Sequence, residues 1–139
     1  MKNTLRENIN TPYSLHDMNV DAFEINGDDL IMRTQSGLIK VSSPCVQTDG
    51  YVKFHRVHWE FSYVYLLGIT GNEGSFSGQK MLLRDFIDRY KQFGFSVIDE
   101  TYGYNMSKYN GFLLLPGRQH CECNIEISHG GDMVYVTED

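Results

Sequence analysis

The sequence lacks any apolar run long enough to cross a bilayer. Its longest such stretch, "FSYVYLLGI" at 61–69, falls far short of the roughly 18 residues a spanning helix needs. The opening stretch "MKNTLRENINTPYSLHD" has neither the apolar centre nor the small-residue cleavage site of a signal peptide. No run of Lys and Arg offsets the formal charge of −6. An acidic chain repels phosphate backbones and anionic lipid, so neither nucleic acid nor a membrane surface is an expected partner. Cysteines number only three. An odd count without a signal peptide points to free thiols and a cytoplasmic location rather than a disulfide framework. The P-loop, G-x-G-x-x-G, G-x-S-x-G and H-E-x-x-H patterns are also missing, and no cofactor is expected.

What is present describes one folded domain. The chain has 139 residues, 41% hydrophobic and 22% charged, which suits a single core spanning 1–139. Turn signals recur along it: "NGDD" at 26–29, "QSG" at 35–37, "TDGY" at 48–51, "TGNEG" at 70–74, "LPGR" at 115–118 and "HGGD" at 129–132. Segments rich in Val, Ile, Phe and Tyr lie between them, the pattern of strands joined by hairpins. Strands are predicted near 18–25, 29–34, 38–43, 51–57, 59–69, 74–78, 95–99, 111–115, 120–128 and 133–137. In the longest, 59–69, the odd positions from Trp59 to Ile69 form an unbroken apolar and aromatic face. One helix is predicted over "KMLLRDFIDRYKQFG", 80–94. Leu82, Leu83, Phe86, Ile87 and Tyr90 make its apolar stripe, and Gly94 is its expected cap. A weaker helix is predicted at 3–9, ended by Pro12.

The stretch "RQHCECNIEISHGG", 118–131, poses the main chemical question. On a strand, Cys121, Cys123, Ile125 and Ile127 share one face and His120, Glu122, Asn124, Glu126 and Ser128 the other. That alternation predicts buried thiols rather than a thiolate metal site, which would need a second ligand pair. His120 with Glu122, and His58 with Glu60, each sit two apart. If their strands were adjacent in suitable register, the four would form a metal site. His58 and Glu60 also read H-x-E. However, the Pro-Cys at 44–45 precedes them and Thr48 stands where the second cysteine should be, so a zinc deaminase is discarded. His16 and Asp17, as neighbours on an extended chain, should face opposite ways; a turn before the first strand is the expected role. The stretch "DETYGYNMSKYNGF", 99–112, reads as a loop whose Tyr102, Tyr104 and Tyr109 either offer contact area for a binding partner at low entropic cost or cover the edge of the core.

The stretch "PYSLHDMNVDAFEINGDDLIMRT", 12–34, resembles the opening of small bacterial proteins of unknown function that begin with a Leu-His-Asp element and a hairpin. Leu15, His16, Asp17 and the apolar hairpin positions carry the likeness. Some related-looking proteins are immunity proteins of toxin systems, so the resemblance implies an inhibitor. It assigns no catalytic residue.

The fold class that follows is α+β: a mainly antiparallel, strongly twisted sheet, barrel-like or two-layered, with one main helix at about 80–93. The leading function is a non-catalytic cytoplasmic module that recognises another protein, an immunity-type inhibitor being one version. A homodimer through the sheet edges is a further form. One alternative is a small metal-binding protein or metalloenzyme using His58, Glu60, His120 and Glu122, or His16 and Asp17. The other is a small-ligand carrier whose cavity is lined by the aromatic face of 59–69.

Overall fold

A computed structural model describes residues 1–7, 10–67 and 78–138. The strands are β1 (Lys2–Leu5), β2 (Tyr13–Ser14), β3 (Asn19–Asn26), β4 (Asp29–Thr34), β5 (Leu38–Lys40), β6 (Gln47–Thr48) and β7 (Gly50–Phe54). They continue with β8 (Tyr63–Leu67), β9 (Gly78–Leu82), β10 (Gly94–Gly103), β11 (Met106–Leu114), β12 (Cys121–Ser128) and β13 (Met133–Thr137). A 3-10 turn covers Trp59–Phe61 and one helix, α1, covers Leu83–Arg89. Ten strands form one sheet in the order β1-β13-β7-β4-β3-β10-β11-β12-β8-β9; β2, β5 and β6 form a small second sheet. All pairings are antiparallel. The α+β class therefore holds. The large sheet keeps two free rims, β1 and β9, and does not close into a barrel.

The sheet works as two halves folded over one core. β3 and β10 share only two residue pairs, Val20 with Phe95 and Asn19 with Ser96. One half presents Val20, Leu30, Met32, Val52, Phe54, Met133 and Tyr135 inward. The other presents Phe95, Val97, Tyr109, Leu113, Cys123, Ile125, Ile127, Val64 and Leu66, and all belong to a single cluster. Burying a side chain of this size stabilises by roughly 1.5–3 kcal/mol, so this seam of side chains, not the two-pair hydrogen-bonded hinge, holds the halves together. Helix α1 adds a clasp. Phe86 is buried and packs 5.4 Å from Phe93, whose ring stacks 5.6 Å from Phe23 of β3.

The hairpin at 26–29 turns one residue later than Asn-Gly suggests. Asn26 pairs with Asp29, so Gly27 and Asp28 are the central residues. Only Gly27 has positive φ, 64°, as a type II′ turn requires.

Several predicted elements differ. The helix is shorter than 80–94, because Lys80, Met81 and Leu82 pair with Tyr65, Val64 and Tyr63 as strand β9. Gly94 does not cap it in the left-handed region but opens β10. Residues 3–5, predicted helical, lie in β1, because their backbone groups complete β13; residues 8 and 9 lie outside the described set. Strand β7 stops at Phe54, since Arg56 takes a left-handed φ of 51°. The supposed long strand begins only at Tyr63, and its faces are reversed: Val64 and Leu66 are buried, while Tyr63, Tyr65 and Leu67 sit outside, partly exposed. Ile69, the turn at 70–74 and the strand at 74–77 fall outside the described residues. The stretch 99–112 is no loop. It belongs to the β10–β11 hairpin, the longest in the fold.

Candidate functional site

The hairpin scatters the three tyrosines singled out by sequence. Tyr104 is 91% exposed at the turn, Tyr109 is fully buried, and Tyr102 lies between. Tyr102 donates to Glu100 Oε1 at 2.7 Å, and its hydroxyl is 3.1 Å from that of Tyr109. Glu100 also accepts from the Ser14 hydroxyl and from the Leu15 N–H at 3.0 Å. Desolvation raises the pKa of Tyr102, Tyr109 and Tyr135 above the usual phenol value, so all three stay protonated. Glu100 thus fastens the "SLHD" segment to β10. Sequence reasoning missed Glu100 because its signal is spatial.

That segment holds His16 and Asp17 in a turn before β3, as expected, but not facing apart. Asp17 takes a φ of 66° and its carboxylate lies 3.1 Å from His16 Nδ1. The positive φ of Asp17 turns its own side chain back towards His16, which the extended-chain argument could not foresee. Both side chains are more than half exposed, and the neighbouring Ser14 Oγ accepts from the His16 N–H at 3.0 Å while donating to Glu100.

The four metal candidates do not meet. Strands β8 and β12 are neighbours, but Glu122 pairs with Leu67 and Glu126 with Tyr63. The antiparallel register therefore sends His58 and Glu60 to the Ser128 end, where His58 Nδ1 is 3.1 Å from Ser128 Oγ. Glu122 lies at the other end, about 20 Å away along the strand at ~3.3 Å per residue. His120 precedes it. Among the described residues no group of three or more His, Cys, Asp or Glu is placed to hold a metal ion. Cys123 is buried, with its thiol pKa raised by desolvation, and Cys121 is half-buried beside it.

A second polar cluster joins the halves where the segment after β7 meets the turn between β12 and β13. The segment His55–His58 packs on His129–Asp132: Gly130 N–H donates to Arg56 O at 2.8 Å and Gly131 N–H to His55 O at 3.0 Å. A Cβ at Gly131 would stand 2.9 Å from His55 O, so glycine is required there. His129 is 2% exposed. Its Nδ1 donates to Gly131 O at 2.9 Å, which leaves Nε2 to accept from Ser107 Oγ at 3.2 Å. Desolvation lowers its pKa, so the neutral ring is favoured. The pair resembles a serine beside a base, with Ser107 fully buried. It satisfies buried polar groups. The doublet Gly130-Gly131 after His129 was the only sequence signal.

The outer face of β8, β12, β11 and β10 is different in kind. Phe112 and Leu114 of β11 are 49% and 43% exposed, and Ile98 of β10 is 38% exposed. Register sets Phe112 between Ser96 and Glu122, and Glu122 beside Leu67. Next along, Asn110 lies beside Asn124, and Asn124 beside Tyr65. Tyr65 donates to Glu126 Oε1 at 3.0 Å. Lys108 pairs with the same carboxylate at 3.4 Å, and Lys80 Nζ sits 4.1 Å above the Tyr63 ring. Of the residues expected to line a cavity, Tyr63, Tyr65 and Leu67 therefore sit on the outer face, while Trp59 is buried in the core. A cleft of about 500 Å³ lies elsewhere, between α1 and Phe23 and Ile25 of β3.

The fold and this face define an α+β protein with a doubled-over antiparallel sheet and an aromatic outer surface. No protein-family model, no curated protein and no solved structure matches the chain. Among the described residues no helix is long and apolar enough to cross a membrane.

Proposed function

We propose that the protein is a non-catalytic binding module that recognises another protein through the outer face of β8, β12, β11 and β10. The observation that carries this reading is the exposed patch of Ile98, Phe112 and Leu114. Apolar side chains grouped on a rigid sheet, rimmed by polar residues, mark interaction surfaces. Aromatic neighbours such as Tyr65 suit the centre of an interface. The three free thiols favour a reducing, cytoplasmic setting. An immunity-type inhibitor of a toxin is the form that the likeness of residues 12–34 adds. Homodimerisation through the rims is countered by Lys2 on β1 and Lys80 on β9, whose charges disfavour edge-to-edge pairing.

The test is interaction capture from the source cells, followed by affinity measurement with the purified partner. Phe112→Asp should weaken binding at least about tenfold, the scale of one interface anchor, with the melting temperature unchanged. Unchanged affinity in Phe112→Asp combined with Leu114→Asp would refute the role of this face.

A further inference from the structure

The charges around the apolar patch say more about what docks there. Both lysines of the face are already engaged. Lys80 lies over Tyr63 and Tyr65, at 4.1 and 5.6 Å from the ring centroids, and Lys108 pairs with Glu126. Two carboxylates are not. Glu122 and Asp99 are exposed, and neither has an ion-pair partner among the described residues. They flank the patch. Glu122 is the cross-strand neighbour of Phe112, and Asp99 follows Ile98 at the β10 bulge, opposite Asn110. An apolar centre is thus bordered by uncompensated negative charge.

We propose that the partner is a protein with a basic contact surface, whose Lys or Arg side chains pair with Glu122 and Asp99 while an apolar group covers Phe112 and Leu114. This rests on the docking role proposed above and adds the sign of the partner's charge. Exposed carboxylates at the rim of an interface act through long-range attraction, which salt screens. A partner of this kind associates faster and more tightly at low ionic strength, and a charge reversal on the face repels it.

The experiment places a photo-crosslinking phenylalanine analogue at position 112 in the full chain and exposes it in the source cells. The trapped protein is identified, purified and titrated calorimetrically against the unmodified chain. The expected result is a trapped partner whose affinity falls at least about tenfold between low and high salt. Glu122→Lys should weaken binding by a similar factor, while Asp88→Lys on the exposed face of α1 leaves it unchanged. All variants must keep the wild-type melting temperature. A trapped partner bound equally well at both salt concentrations, and by Glu122→Lys, would overturn the charge assignment while leaving the docking face intact. No trapping from position 112, or from position 65 as a second site, would overturn both.

Discussion

Removing the Glu100 carboxylate should unfasten the N-terminal segment from the sheet. Glu100 accepts hydrogen bonds from Ser14 Oγ, Leu15 N–H and Tyr102 OH. Glu100→Ala strands these donors in a region where Leu15 is 0% exposed and Tyr13 6%. An unsatisfied buried donor costs about 1–3 kcal/mol. Ser14, partly exposed, recovers water, and Tyr102 can turn its hydroxyl to Tyr109, so one full penalty at the Leu15 N–H and the lost charged hydrogen bond of Tyr102 remain, or roughly 2–4 kcal/mol. For a chain of this size about 1 kcal/mol corresponds to ~3–5 °C, so the melting temperature should fall by roughly 6–20 °C. Glu100→Gln keeps an oxygen for Leu15 and Tyr102 and offers an N–H to the Ser14 hydroxyl, which can rotate to accept. It should cost only about 1 kcal/mol. Urea denaturation followed by circular dichroism measures both, and amide exchange at Leu15 reports the local effect. The argument fails if Ala and Gln cost the same, or if Ala costs less than about 1 kcal/mol.

Three further outcomes follow from single residues. His129 is held below its ordinary pKa of 6.5 by burial, so the unfolded chain binds its proton at higher pH than the native protein. Stability should be full above about pH 6.5 and decline as pH falls below it. Denaturation midpoints of wild type and His129→Gln across that range should converge towards acid, and parallel curves would contradict the burial. Gly111→Ala should be severely destabilising, because the added Cβ would stand 1.8 Å from Ser96 O at the β10 bulge; a melting temperature within a few degrees of wild type would rule that contact out. Asn124→Thr should raise stability by up to about 1 kcal/mol, since the Asn124 side-chain oxygen is shut from solvent without a hydrogen-bond partner. A loss measured by thermal melting would mean the amide is satisfied.

Alternation of side chains was legible where only one face is apolar. In β12, Cys123, Ile125 and Ile127 point in and Glu122 points out, as "CECNIEIS" implies. In β8 both faces are apolar, so the period survives but its phase is lost. Tyr63 and Tyr65 look like core, yet they lie outside because their hydroxyls need partners and their rings seat Lys80. The helix stripe was right about Leu83 and Phe86. It overreached at Lys80–Leu82, where β8 needs a neighbour and tertiary pairing overrides a weak local preference. The tyrosine-rich hairpin hid behind Gly, Asn and Ser. Its alternation of Ser107, Tyr109, Gly111 and Leu113 inside against Lys108, Asn110, Phe112 and Leu114 outside is regular, but small inward residues carry little hydropathy. The candidate face stayed invisible because it is assembled from four strands whose order is not readable locally.

The two halves of the sheet offer an internal control on whether exposed apolar residues matter here. On the outer face of the first half, Val134 and Val136 are also apolar, yet only 7% and 6% exposed. Register places Val134 between Lys53 and Leu5, and Val136 between Tyr51 and Asn3. Long neighbours flank each valine, and the Arg33 guanidinium lies 4.6 Å over the Tyr51 ring. Stems of Lys, Arg and Tyr are an available way to shield an outer strand. On the second half the same device is present but spent elsewhere: Lys80 covers the tyrosines and Lys108 turns to Glu126. Phe112 and Leu114 are flanked by Ser96 and Gly94 on β10, neither of which can cover anything. Replacing Ser96 with Lys would supply the missing stem. If the patch is a docking surface, Ser96→Lys should leave the fold intact, or slightly firmer, while weakening partner binding both by occlusion and by repelling a basic surface. Equal binding by this variant, measured by calorimetry, would mean that nothing docks over Phe112.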